Sequence, residues 1–116
     1  MINLTKNAVY VINRMLIGKE GYGLRLKHED GCCGVKFNLF FDKKAVGDKI
    51  IKSHEDLEIF ADRDTLAVAN FLKKKKQFGK TTVDYIRSPL TKGFIADNQR
   101  ININIWEHEI EYSSPR

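Results

Sequence analysis

Five stretches of this chain alternate at every second position with a largely apolar set: Tyr22, Leu24 and Leu26, with His28 in phase; Val35, Phe37, Leu39 and Phe41; Leu57, Ile59 and Ala61; Val83 and Tyr85, with Thr81 in phase; and Ile101, Ile103 and Ile105. Successive side chains of extended backbone point to opposite faces, so each stretch predicts a half-buried strand. Gly93-Phe94-Ile95-Ala96 adds a short one, followed by an Asp97-Asn98 turn, whereas Ile50-Ile51 reads only as a short apolar patch after the polar stretch 42–47. Helical spacing occurs twice. Ala8, Val11, Ile12, Met15 and Leu16 follow a capping Thr5, which predicts a helix over about 6–17 that stops at Gly18. Leu66, Ala69 and Phe71-Leu72 lie between Asp62 and Asp64 at one end and Lys73–Lys76 at the other, the charge order a helix dipole favours. The expectation is a mainly β chain, a sandwich or distorted pseudo-barrel with one N-terminal helix and one short internal helix. The 116 residues hold no repeat and no linker, so 1–116 is read as a single domain.

No stretch approaches the ~18 apolar residues of a membrane span. The start, Met1 to Asn7, lacks the order of a secretion signal, so a cytoplasmic location is expected, with no membrane partner. The net charge is +5, a number matched by Lys73, Lys74, Lys75, Lys76 and Lys80 alone. A run of this kind is first a solvated helix end; the functional reading is a patch for an acidic partner or nucleic acid. With only Phe71 and Phe78 nearby, base stacking is poorly supported and nucleic acid is the disfavoured partner.

The two cysteines are adjacent, Cys32-Cys33, inside Gly31-Cys32-Cys33-Gly34, where one alternating stretch ends and the next begins. Neighbouring cysteines are poorly placed for a disulfide, which leaves two thiols that are reactive, metal-binding or inert. Flanking glycines let the backbone reach positive φ and a bulky ligand come close. Thiolates favour iron–sulfur clusters, zinc or Cu(I), but two thiols do not fill a four-ligand shell. His28 falls on the apolar face near them and reads as a satisfied strand histidine before a ligand; His54 and His108 lie in acidic surroundings expected to be exposed. No catalytic motif stands out, and no enzyme activity is expected.

Residues 22–41, with Gly23-Leu24-Arg25-Leu26, then Gly31-Cys32-Cys33-Gly34 and an aromatic-rich strand, resemble the HesB-like domain of A-type iron–sulfur carriers. The likeness continues through Asp56–Asp62, Thr65-Leu66, Thr82–Tyr85 and Leu90–Asn98, the last holding a Gly-Phe-x-x-x-Asn turn, and covers about 4–98. It implies a HesB-like β-sandwich or pseudo-barrel. It also implies iron or an iron–sulfur cluster (2Fe–2S among them) bound between subunits of a homo-oligomer and passed to client apoproteins together with other iron–sulfur assembly proteins. Cys32 takes the place of the family's first cysteine, and Cys33 replaces the usual small residue.

The family's Cys-Gly-Cys tail pair is absent: just after the turn stand Gln99-Arg100-Ile101-Asn102-Ile103, and 99–116 reads as an extra C-terminal strand, with a bulge near Ile105-Trp106 where the apolar phase shifts to Ile110 and Tyr112. Cys32 as principal and Cys33 as auxiliary ligand, from two or more subunits, then have to supply the shell. For both to point inward, Gly31 and Gly34 have to distort the chain. The alternative is a degenerate HesB-like protein-interaction module that binds no cluster.

Overall fold

The computed structural model describes residues 2–31, 34–54, 57–88, 92–98 and 100–105, with the backbone alone at Lys92. In chain order the described elements are β1 (Ile2–Leu4), α1 (Lys6–Met15), β2 (Tyr22–Gly31), β3 (Gly34–Lys43), β4 (Lys49–His54), β5 (Leu57–Ala61), α2 (Arg63–Lys74), β6 (Thr81–Arg87), β7 (Lys92–Ala96) and β8 (Ile101–Ile103). The strands form a five-stranded sheet, β4-β5-β2-β3-β8, and a three-stranded sheet, β1-β6-β7. One core cluster draws Leu24, Leu26, Phe37, Leu39 and Ile59 from the first, Ile2, Val83 and Tyr85 from the second, and Ala8, Ile12, Ala69 and Leu72 from the helices. The mainly β fold with two helices is as expected.

Caps fix both helices. Thr5 accepts from the Ala8 N–H at 3.2 Å and donates to Asp84 Oδ1 at 2.6 Å, which ties the start of α1 to β6. Asp62 accepts from the Thr65 N–H at 2.7 Å and starts α2 at the end of β5. The long β2–β3 ladder runs without a slip from Tyr22↔Lys43 to Gly31↔Gly34. At its side Gly23 sits so close to β5 that an added Cβ would lie 2.7 Å from the Glu58 carbonyl oxygen.

Three features differ from the sequence expectation. β1 comes from residues with no alternating pattern of their own, since it pairs in parallel with β6, Ile2↔Thr81 to Leu4↔Val83. The Ile50-Ile51 patch is part of β4, antiparallel to β5 across an irregularity between Ile50 and Lys52. Arg25 and Phe60, assigned by alternation to outward faces, are buried. The tail strand is short: β8 pairs in parallel with β3, Phe37↔Ile101 to Leu39↔Ile103, and the Asn104 N–H donates to the Leu39 carbonyl at 2.8 Å before a buried Ile105. The bulge expected near Ile105-Trp106 and the phase change beyond it fall outside the described residues. No helix of the described residues is long and apolar enough to cross a membrane.

Candidate functional site

Cys32 and Cys33 lie outside the described residues, and so does His108. The frame around the two thiols is described. Glu29, Asp30 and Gly31, the last residues of β2, are exposed, and so is Gly34 at the start of β3. The Gly31↔Gly34 pair closes the ladder. Of the two glycines only Gly34 uses positive φ, at +108°. A side chain at Gly34 would carry backbone strain on the order of 1–3 kcal/mol.

Arg100 holds this end of the hairpin to the rest of the molecule. Its Nη1 donates to the Val35 carbonyl at 2.8 Å and its Nε to the Gln77 carbonyl at 3.1 Å. Its own carbonyl accepts from the Phe37 N–H at 2.6 Å. Nη1 also lies 3.6 Å from where a Cβ on Gly34 would stand. Asn98, which closes the Gly-Phe-x-x-x-Asn turn, accepts from the Arg100 N–H at 2.9 Å and donates to Thr81 Oγ1 at 3.1 Å. A guanidinium therefore sits beside the hairpin end in the part of the chain where the resemblance implies tail cysteines. From Arg100 the described tail runs along β3 away from that end, because the β3–β8 pairing is parallel.

His28 is satisfied within the fold, as expected. Its Nδ1 is 2.8 Å from Thr65 Oγ1, which also accepts the His28 N–H at 3.3 Å. Next to it Lys27 Nζ donates to Asp62 Oδ2 at 2.6 Å. That bond, aided by the Thr65 N–H, holds the Asp62 carboxyl down at about 2. His54 ends β4 opposite Leu57 and is half-buried rather than exposed. Among the described residues no three or more His, Cys, Asp or Glu side chains are grouped to hold a metal ion.

The lysine run closes α2. Lys73 and Lys74 end the helix, Lys75 caps it, and Lys76 takes φ +59°. The Lys76 N–H donates to the Lys73 carbonyl at 3.0 Å and the Gln77 N–H to the Leu72 carbonyl at 2.8 Å, the paired bonds of a Schellman turn. Glycine is usual at the left-handed position, and a side chain there costs about 1–2 kcal/mol. All four lysines are exposed. Leu72 and Phe78 on either side are buried, and Phe78 stacks on Phe37 at 4.7 Å between ring centroids.

The largest polar feature that the alternation missed is at the other end of the ladder. Arg25 reaches Asp42 Oδ2 and Asp48 Oδ2, each at 2.6 Å, and the Lys43 carbonyl at 3.1 Å, and its guanidinium lies 4.9 Å from the Phe60 ring centre. The Asp48 side chain is 4% exposed. The Arg25 hydrogen bond lowers the Asp48 carboxyl below its ordinary range, and Asp48 in turn raises the Arg25 guanidinium. Only the Gly-Leu-Arg-Leu stretch hinted at Arg25, by flanking it with leucines.

Two solved structures whose descriptions concern iron–sulfur clusters share this fold. The chain superposes on Escherichia coli SufA, described as involved in biosynthesis of iron–sulfur clusters, with a TM-score of 0.59 over 84% of this chain and 79% of that one, at 22% identity. IscA, solved with a 2Fe–2S cluster, gives a TM-score of 0.52 over 85% and 83% of the two chains, at 19% identity. The HesB-like fold implied by the sequence is thus observed. An uncharacterized protein of Bradyrhizobium diazoefficiens is 28% identical over 107 residues, 90% of this chain and 92% of that one. No family model matches the chain.

Proposed function

We propose that this protein is a non-enzymatic iron–sulfur assembly or carrier protein. Its cargo is iron or an iron–sulfur cluster, held by Cys32 with help from Cys33 and passed to client apoproteins. The observation that carries this reading is the exposed, glycine-closed end of the β2–β3 ladder on a fold shared with SufA and IscA. Two thiols per chain suit a shell completed by a second copy, so the loaded form is a homo-oligomer. Transfer proceeds by ligand exchange. Each client thiol that binds iron gives up its proton, and the displaced carrier thiolate takes one up, so no oxidant or reductant is consumed. A small exposed ligand set favours release over storage. The reading includes a cytoplasmic location, where thiols stay reduced.

Anaerobic reconstitution with iron and sulfide is expected to give visible absorption that Cys32→Ser abolishes. A colourless, iron-free product from the unaltered chain would overturn the proposal. The occupation by Arg100 of the place where the resemblance implies tail cysteines favours a second reading, a HesB-like interaction module without cargo. That module would keep its protein partners and their behaviour when Cys32 and Cys33 are both changed to Ser, whereas the carrier would lose transfer of iron to them.

A further inference from the structure

We propose that the Lys73–Lys76 turn is the docking surface for an acidic segment of the protein that exchanges cargo at the adjacent hairpin end. The identity of that partner rests on the carrier reading above; the surface itself rests on three observations. First, Lys73, Lys74, Lys75 and Lys76 are all exposed, and no ion pair among the described residues engages them. Among the described residues their charge is left open to a partner of opposite sign. Second, Lys76 is the one non-glycine residue with positive φ among the described residues. Glycine would fit that position with less strain, but it would remove a quarter of the turn's charge. Third, Arg100 links the turn to the hairpin, since one guanidinium bonds both Gln77, next to Lys76, and Val35, next to Gly34. Phe78 stacked on Phe37 fixes the same two segments. The cations and the hairpin end are held as one surface.

The shape of the charge selects the partner. Single-stranded nucleic acid is held by a groove of cations along successive phosphates, with open aromatic faces for the bases. Here four exposed cations crowd one helix end and its turn. Phe71, 59% exposed beside it, has Lys75 Nζ 5.7 Å from its ring centre. A compact cation cluster with one apolar rim residue matches a short run of Asp and Glu, and its main effect is on encounter and orientation.

The test uses the full chain, a cysteine-free peptide rich in Asp and Glu, and a single-stranded DNA oligomer, all at near-physiological salt. The peptide is expected to bind the unaltered chain and to slow iodoacetamide alkylation of Cys32 and Cys33 several-fold. Changing Lys73, Lys74, Lys75 and Lys76 together to Gln should weaken binding at least about tenfold and remove the protection, while the same four changed to Arg should keep both. Lys76→Gly should weaken binding without lowering the melting temperature, an outcome a purely structural lysine would not give. Peptide affinity indifferent to the Gln variant, binding that leaves alkylation unchanged, or tighter binding of the DNA would each overturn the proposal. None of these readouts uses iron. Failed reconstitution with intact peptide binding would sink the carrier reading alone, and the reverse result would sink the docking surface alone.

Discussion

The two ends of the β2–β3 ladder are made of opposite materials. At the Tyr22↔Lys43 end Arg25 is buried between Asp42, Asp48 and Phe60, and Lys19 and Lys43 reach over the Tyr22 ring at 6.0 and 5.4 Å. At the Gly31↔Gly34 end Glu29, Asp30, Gly31 and Gly34 are exposed, and Arg100 from the tail bonds the Val35 carbonyl while Phe78 stacks on Phe37. One ladder thus joins an anchored end to an end that stays accessible. The anchor supplies stability that the open end does not.

The first way to break this contrast is to remove the anchor. Arg25→Gln leaves Asp48 buried without its counter-charge, and the expected loss is about 3–5 kcal/mol, seen as a lower urea midpoint with an unchanged slope. A second comparison sharpens the open end. Gly34→Ala should cost about 1–3 kcal/mol through its backbone conformation, since the new Cβ would make only ordinary contact with Arg100. Gly31→Ala has no such constraint and should stay within about 0.5 kcal/mol. Equal losses at the two glycines would remove the asymmetry. A third, smaller effect depends on pH. Asp62 is held at about 2, below its unfolded value of roughly 3.9. Its contribution to stability is therefore present above pH ~4 and lost as pH falls through about 2, with Asp48 adding in the same direction. Asp62→Asn should flatten the fall in melting temperature over that acid window and leave its slope near neutrality unchanged.

What was legible in the sequence follows from which contacts are local. The alternating residues of β2, β3, β5 and β6 and the apolar faces of α1 and α2 announce themselves over a few residues, and so do the caps Thr5 and Asp62. β1 was not legible, because Ile2–Leu4 becomes a strand only by pairing with Thr81–Val83 far along the chain. Arg25 misled for the same reason: alternation says which way a side chain points, not that Asp48 and Phe60 will cover that face. At the candidate site the residue types were legible and the thiols lie outside the described residues, so the structure contributes the frame. Arg100 appeared in the sequence only as an occupant of the place where cysteines were expected; its bonds to Val35 and Gln77 join three distant segments.

Arg100 gives an effect that is small globally and concentrated at the open end. Arg100→Gln removes a part-buried side-chain hydrogen bond to the Val35 carbonyl, worth about 0.5–1.5 kcal/mol, and an exposed one to the Gln77 carbonyl. Water can reach both carbonyls once the guanidinium is gone, so the expected cost to global stability is near the low end, about 1 kcal/mol. The local effect should exceed the global one. Faster amide exchange is expected at Val35 and in the 77–79 segment, with little change at Leu26 or Leu39, where the ladder is buried. Uniformly faster exchange would mean that Arg100 is part of the core's stability rather than a tether, and the division of the ladder into an anchored and an open end would then be wrong.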